Sequence, residues 1–344
     1  VGDSGVAALG QGLGTVKSLT DVALRFTRTR VSDAGVMALG QGLALLQSLT
    51  DVALTLHGCD VGDAGVIAVG QGLGALKSLA NVALTLDNCN VGDVGLAVLG
   101  QGLGALNRLT KVALEFSGCK RIGDAGLMAV GHGLGALKSL TNVALTLHCC
   151  KQVGDAGVTA VGQGLGALKS LTSVVLTFRW SGVSDAGVIA VGEGLGALKS
   201  LTEVTLMFVG CDNVGNAGVT AVGQGLGAAK SLTNVALTFL CCDVGDAGVI
   251  AVGQGLGALK SLANVALTLD NCNVGDVGLA VLGQGLGALN RLTKVALEFS
   301  GCKRIGDAGL MAVGHGLGAL KSLTNVALTL HCCKQVGDAG VTAV

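Results

Sequence analysis

Apolar residues recur along this chain with two alternating periods. Between residues 63 and 76 they fall at Val66, Val69, Leu73 and Leu76, spacings of three and four that predict one face of a helix. After Leu79 the pattern becomes Val82, Leu84, Leu86, a strict alternation that predicts a strand with one buried face. The succession returns throughout. The V-G-D-A-G string and its variants begin at Val1, Val31, Val61, Val91, Ile122, Val153, Val183, Val214, Val244, Val274, Ile305 and Val336, giving eleven units of 30 or 31 residues and a partial one. A period of that length is the signature of a solenoid. One strand and one helix per unit, stacked in parallel, predict a right-handed βα coil forming a single array over 1–344.

The element ends agree with this division. Asp63 precedes the helical pattern and is expected to cap its own helix, accepting from free N–H groups at the positive end of the dipole. The equivalent residue is Asp in eleven units and Asn216 in the remaining one. Lys77, with Lys17, Lys138, Lys169, Lys199, Lys230, Lys260 and Lys321 in register, suits the negative helix end. All six Phe residues (26, 116, 178, 208, 239 and 299) lie four positions after the strand Val. That column predicts a core spine.

The stretch GQGLGALKS at 70–78 resembles a phosphate-binding loop, but its helix is expected to start seven residues earlier. A phosphate loop needs its glycines between a strand and a helix N-terminus, with Gly directly before Lys-Ser, where this chain has Leu76. Repetition in every unit also argues for a structural element. By propensity, the three glycines of this stretch cost the helix roughly 2 to 3 kcal/mol against Ala, so neighbouring units must hold it.

The segment LANVALTLDNCNVGDVG (79–95), followed in each unit by the VGDAGVIAVGQGL type of helix, resembles the leucine-rich repeat, in its ribonuclease-inhibitor-like class. The resemblance covers all eleven units. It implies a curved α/β horseshoe with a parallel sheet on the concave face and helices on the convex face. The spacing from the first strand Leu to the Cys is longer than the usual form, and neither end shows a capping module, so the chain reads as a fragment of a longer array.

Composition removes several function classes. Formal charge balances at 22 basic and 22 acidic residues with no run of one sign, which disfavours nucleic-acid and acidic-membrane partners. No apolar run reaches the roughly 18 to 20 residues of a spanning helix. Gly is 59 residues and Pro is absent, yet half the chain is hydrophobic, so it should pack rather than remain disordered.

Nine of twelve cysteines (59, 89, 119, 150, 211, 242, 272, 302 and 333) stand seven residues after the strand Val, and Cys149, Cys241 and Cys332 precede three of them. No C-x-x-C spacing occurs, as a zinc site would favour. The resemblance implies a buried ladder bonded to neighbouring backbone; disulfides between rungs are the alternative, and metal a weaker one. Free thiols suit a reducing, cytoplasmic setting. His57, His148 and His331 end strands, two of them beside Cys, but as repeat elements they read as satisfied or solvent-facing rather than catalytic.

The outward strand positions carry an Ala column (23, 53, 83, 113, 144, 236, 266, 296 and 327), a Thr column (55, 85, 146, 177, 238, 268 and 329) and a polar column running from Asp21 to Asn325. Units six and seven depart from it, with Val175, Arg179, Trp180, Glu203, Thr205, Met207 and Val209. These residues are the candidate partner-binding site. Unit six lacks the Cys rung, and the structural alternative has Trp180, the sole Trp, filling it. Residues 59–161 and 242–344 are identical over 103 positions, surface included, which folding does not require and which reports a recent duplication or an assembly artefact. The sequence therefore predicts a non-catalytic scaffold that binds proteins along its concave sheet without a cofactor or metal. The alternative is a structural or surface-adsorbing array whose Thr/Ala ladder meets a periodic target such as a filament, polysaccharide or ice.

Overall fold

Strand and helix alternate as the two apolar periods require. The computed structural model describes residues 1–342, and the last two residues of the partial unit lie outside the described residues. The chain divides into two compact units, the first comprising Val1–Leu171 with Trp180–Gly182 and the second Thr172–Arg179 with the chain from Val183 onward.

In the first unit the order is α1 (Asp3–Thr15), β1 (Asp21–Thr27), α2 (Asp33–Leu43), β2 (Asp51–His57), α3 (Asp63–Gly74), β3 (Asn81–Asp87), α4 (Asp93–Gly104), β4 (Lys111–Ser117), α5 (Asp124–Gly135), β5 (Asn142–His148) and α6 (Asp155–Gly166). Strands β1 to β5 lie in chain order and pair in parallel, each residue opposite its equivalent, as Val82 is opposite Val52 and Val112.

The second unit runs β6 (Ser173–Arg179), α7 (Asp185–Gly196), β7 (Glu203–Val209), α8 (Asn216–Ala228), β8 (Asn234–Leu240), α9 (Asp246–Gly257), β9 (Asn264–Asp270), α10 (Asp276–Gly287), β10 (Lys294–Ser300), α11 (Asp307–Gly318), β11 (Asn325–His331) and α12 (Asp338–Thr342). Its strands β6 to β11 are parallel and in the same kind of register.

Each repeat contributes one stripe of helix and one face of strand to the core. In the third repeat Val66, Val69, Leu73, Leu76, Leu79, Val82, Leu84 and Leu86 are all buried. The Phe column is buried too, and in the second unit the rings of Phe178, Phe208 and Phe239 stack with centroids 5.6 and 5.7 Å apart.

The Asp of the repeat does not cap its own helix. Position Ncap is Gly62, which has no side chain to offer, and Asp63 is already the first helical residue. The missing acceptor comes from the preceding repeat: Asp33 Oδ1 takes N–H donations from Gly62 at 2.7 Å and Gly65 at 2.8 Å. Asp63 serves Gly92 and Gly95 in turn, and Asp93 serves Gly123 and Gly126. A cap that normally closes one helix on itself thus ties each helix start to the previous repeat. It also dictates the second Gly of G-D-A-G, because a Cβ on Gly65 would stand 2.7 Å from Asp33 Oδ1. At the other helix ends Lys17 Nζ donates to Gly14 O at 2.6 Å and Lys77 Nζ to Gly74 O at 3.0 Å, as the sequence predicts.

The glycines of GQGLG lie inside helices, and adjacent helices approach through them. A Cβ on Gly72 would be 2.5 Å from Gly40 O in α2, and one on Gly70 would be 2.9 Å from the Leu99 Cα in α4. The flat glycine surface faces both neighbours.

Every strand is followed directly by a left-handed residue. Gly occupies that position at 58, 118, 210 and 301 and Asn at 88 and 271, but Arg28, Cys149, Trp180, Cys241 and Cys332 adopt the same positive φ. An L side chain with a Cβ is disfavoured there by about 1 to 2 kcal/mol. Part of that is offset by the extra freedom Gly has in the unfolded chain. Cys149→Gly is accordingly expected to stabilise the protein by about 0.5 to 1 kcal/mol, read as a higher denaturant midpoint.

Candidate interaction surface

The sheet of each unit has one face packed on helices and one face open. In β2 the outward Asp51, Ala53, Thr55 and His57 are exposed or half-buried, whereas Val52, Leu54 and Leu56 are buried. Equivalent residues stand beside one another in rows of polar side chains, Ala and Thr. The rows are hydrogen-bonded along their length: Asn81 Nδ2 donates to Asp51 Oδ1 at 2.5 Å, and in the second unit Asn264 donates to Asn234 Oδ1 at 2.6 Å and Asn234 to Glu203 Oε1 at 3.0 Å.

Small side chains in the second row leave a groove on the open face of the second unit. It encloses about 580 Å³ and is floored by Ala236, Ala266, Ala296 and Ala327, with Glu203, Asn234, Asn264 and Lys294 along one side. It begins at Glu203 and Thr205, two members of the sequence-predicted patch. The rest of the groove was visible in the sequence as the Ala column, whose lack of bulk was the signal for it.

Six of the seven predicted residues belong to the second unit. Strand register sets Val175 beside Thr205 and Arg179 beside Val209, with Met207 between Thr177 and Thr238. Glu203 is exposed; Val175, Arg179, Thr205 and Met207 are half-buried. The Nε of Arg179 is buried and has no acceptor among the described residues. Val209, flanked by Arg179 and Leu240, is 4% exposed and offers little surface. Trp180 belongs to the first unit, where it is 47% exposed in the left-handed position. It does not fill the missing Cys rung. That position, seven after Val174, is taken by the half-buried Ser181, and the turn directs the preceding Trp side chain outward.

The Cys column forms the ladder that the resemblance implies. No disulfide is formed among the described residues, and Cys89 Sγ donates to Leu56 O at 3.3 Å, Cys119 to Leu86 O at 2.8 Å and Cys272 to Phe239 O at 3.4 Å. Burial pushes the thiols of Cys89, Cys119, Cys242 and Cys272 up to about 12 and those of Cys150 and Cys302 to about 11. At neutral pH these sulfurs are hydrogen-bond donors, not nucleophiles. Of the strand-end histidines, His57 Nδ1 lies 3.5 Å from Asp87 Oδ2. No group of three His, Cys, Asp or Glu residues among the described residues is placed to hold a metal ion.

Glu115, on the open face of the first unit, has its carboxyl raised above the usual range, first by desolvation and then by the neighbouring Asp87; a hydrogen bond with Thr85 opposes the shift. A carboxyl whose folded pKa is raised binds its proton more tightly in the folded state, so its charge opposes folding at neutral pH and ceases to as pH falls. Glu115→Gln is expected to raise the melting temperature at neutral pH, and the gain should vanish as the pH is lowered through the carboxylate range.

The family model described as Leucine Rich repeat matches residues 112–131 and 295–314. Both segments read VALEFSGCKRIGDAGLMAVG and run from strand through Cys rung and G-D-A-G turn into helix; the order of strand, turn and helix recurs in every unit, and the Cys rung in nine of the eleven. The two matched segments are similar to leucine-rich repeats, and the repeated strand-helix units around them are consistent with that family. Among solved structures, this chain is similar to one from the crystal structure of the Rad7 and Elc1 complex in yeast, with 15% identity and a TM-score of 0.45, over 99% of this chain and 86% of that one. No curated protein matches it significantly. No helix among the described residues is long and apolar enough to cross a membrane.

Proposed function

We propose that this leucine-rich repeat scaffold binds protein partners along the open face of its sheet and is not an enzyme. The observation that carries this reading is the open groove of about 580 Å³ in the second unit, framed by Glu203, Asn234 and Lys294 and continuous with the Glu203 and Thr205 end of the atypical patch. The floor is flat and small, so energy from a partner concentrates on the larger groups beside it: Arg179, Met207 and Glu203, with Trp180 in the first unit as a separate aromatic anchor. The Arg179 guanidinium, with its Nε unmatched, suits a partner carboxylate. Chemistry at the buried ladder cysteines is disfavoured, since thiols pushed to about 11 or 12 supply almost no thiolate at neutral pH. A cytoplasmic location belongs with this reading, because a ladder of free thiols persists in a reducing compartment.

Trp180→Ala and Met207→Ala, made together, are expected to weaken capture of bound protein at least tenfold, as removal of two anchors of roughly 1 kcal/mol or more each predicts. Capture unchanged by both substitutions would remove the patch from the interface.

A further inference from the structure

Three cysteines stand apart from the ladder and share one place in the fold. Cys149, Cys241 and Cys332 each directly follow a strand, adopt φ of 57°, 52° and 56°, and precede a ladder cysteine. The left-handed turn carries them out of the core: Cys149 and Cys241 are half-buried and Cys332 is exposed, whereas Cys150 and Cys242 behind them are buried. Each is thus one of a vicinal pair whose two sulfurs have opposite surroundings. The inner sulfurs are held inward by donation to the neighbouring strand, Cys150 to Phe116 O at 3.2 Å, Cys242 to Phe208 O at 3.5 Å and Cys333 to Phe299 O at 2.7 Å.

We propose that Cys149, Cys241 and Cys332 are modification sites for low-molecular-weight disulfides of the glutathione type, and that the resulting mixed disulfides persist instead of closing into intramolecular bonds. The thiolate of the outer cysteine attacks one sulfur of the small disulfide. A protein-sulfur to small-molecule-sulfur bond forms, the original S–S bond breaks, and one thiolate leaves with the electron pair and takes up the proton the cysteine lost. The protein thiol is oxidised and half of the small disulfide is reduced. Collapse of the adduct would require the adjacent ladder sulfur to attack as a thiolate. That sulfur is engaged with a carbonyl in all three pairs, buried at Cys150 and Cys242 and half-buried at Cys333, and burial pushes it up, to about 11 and 12 for Cys150 and Cys242, so the resolving step lacks its nucleophile. In the second unit an adduct on Cys241 adds a charged tripeptide at the end of β8, beside the open-face row of Val209, Leu240 and Asp270.

The test treats the folded full chain with oxidised glutathione at mildly alkaline pH, quenches with acid, unfolds, alkylates the remaining thiols and maps adducts by mass spectrometry. Glutathione is expected on three cysteines per chain, with the nine ladder cysteines Cys59, Cys89, Cys119, Cys150, Cys211, Cys242, Cys272, Cys302 and Cys333 left unmodified. Peptides 139–151 and 322–334 are identical, so Cys332→Gly, which suits the left-handed turn, separates them: adducts at that peptide should fall by half. Cys241 lies in a peptide of its own sequence. Adducts on the interior ladder, paired loss of thiols without glutathione, or no adduct at all on a chain that reacts fully once unfolded would each overturn the proposal.

Discussion

Gly72→Ala is expected to destabilise the protein by about 1 to 2 kcal/mol, whereas Gly12→Ala, the same change at the equivalent place in α1, should stabilise it by up to about 1 kcal/mol. Helix propensity alone predicts a gain at both sites, since Gly in a helix interior costs about 1 kcal/mol relative to Ala. What separates them is the neighbouring helix. A Cβ on Gly72 would lie 2.5 Å from the backbone oxygen of Gly40, and a carbonyl in a packed helix cannot move aside as a flexible side chain does. Around Gly12 there is nothing within 4 Å. Chemical denaturation of the two variants measures both signs, and stabilisation by both would mean that helix contact through glycine carries no weight.

Loss of the carboxylate at Asp33 is the second large effect. Asp33→Ala leaves the Gly62 and Gly65 N–H groups without an acceptor in a partly buried turn, at a cost of about 1 to 3 kcal/mol. Asp33→Asn should cost less than about 1 kcal/mol, because the chain already uses Asn216 in this role: its Oδ1 accepts from Gly245 and Gly248, both at 2.9 Å. Amide hydrogen exchange at Gly62 and Gly65 localises the effect. Exchange there is expected to accelerate strongly in the Ala variant and weakly in the Asn variant; equal, unchanged exchange in both would contradict a cap supplied by the preceding repeat.

The sequence carried the repeat, the strand, the helix, the Phe spine and the Cys column, because each rests on a local period or on register between units. It misplaced the Asp. Every unit has one, so the intra-helix and inter-repeat assignments give the same pattern along the chain, and only coordinates show that the carboxylate of Asp33 reaches Gly62 and Gly65 instead of its own helix. The glycines read as a cost because propensity is a property of one helix, while their benefit lies in the approach of two. Trp180 was read one position off: the column of Gly58, Asn88, Gly118 and Gly210 already marked a left-handed turn, in which a side chain leaves the core. The groove was legible only as a lack of bulk in the Ala column, and nothing in a single sequence weighs an empty space against a Trp.

Under the proposed function, recognition belongs to the open face of the sheet and not to the helices. It is tested most directly by capturing bound proteins with two variants of equal charge change, Ala236→Arg with Ala266→Arg on the groove floor, and Gln224→Arg with Gln254→Arg on the exposed helix surface. Loss of capture by the groove variant alone, with both variants folded by circular dichroism, is the predicted result. Retained capture by the groove variant, with loss by the helix variant, would contradict it.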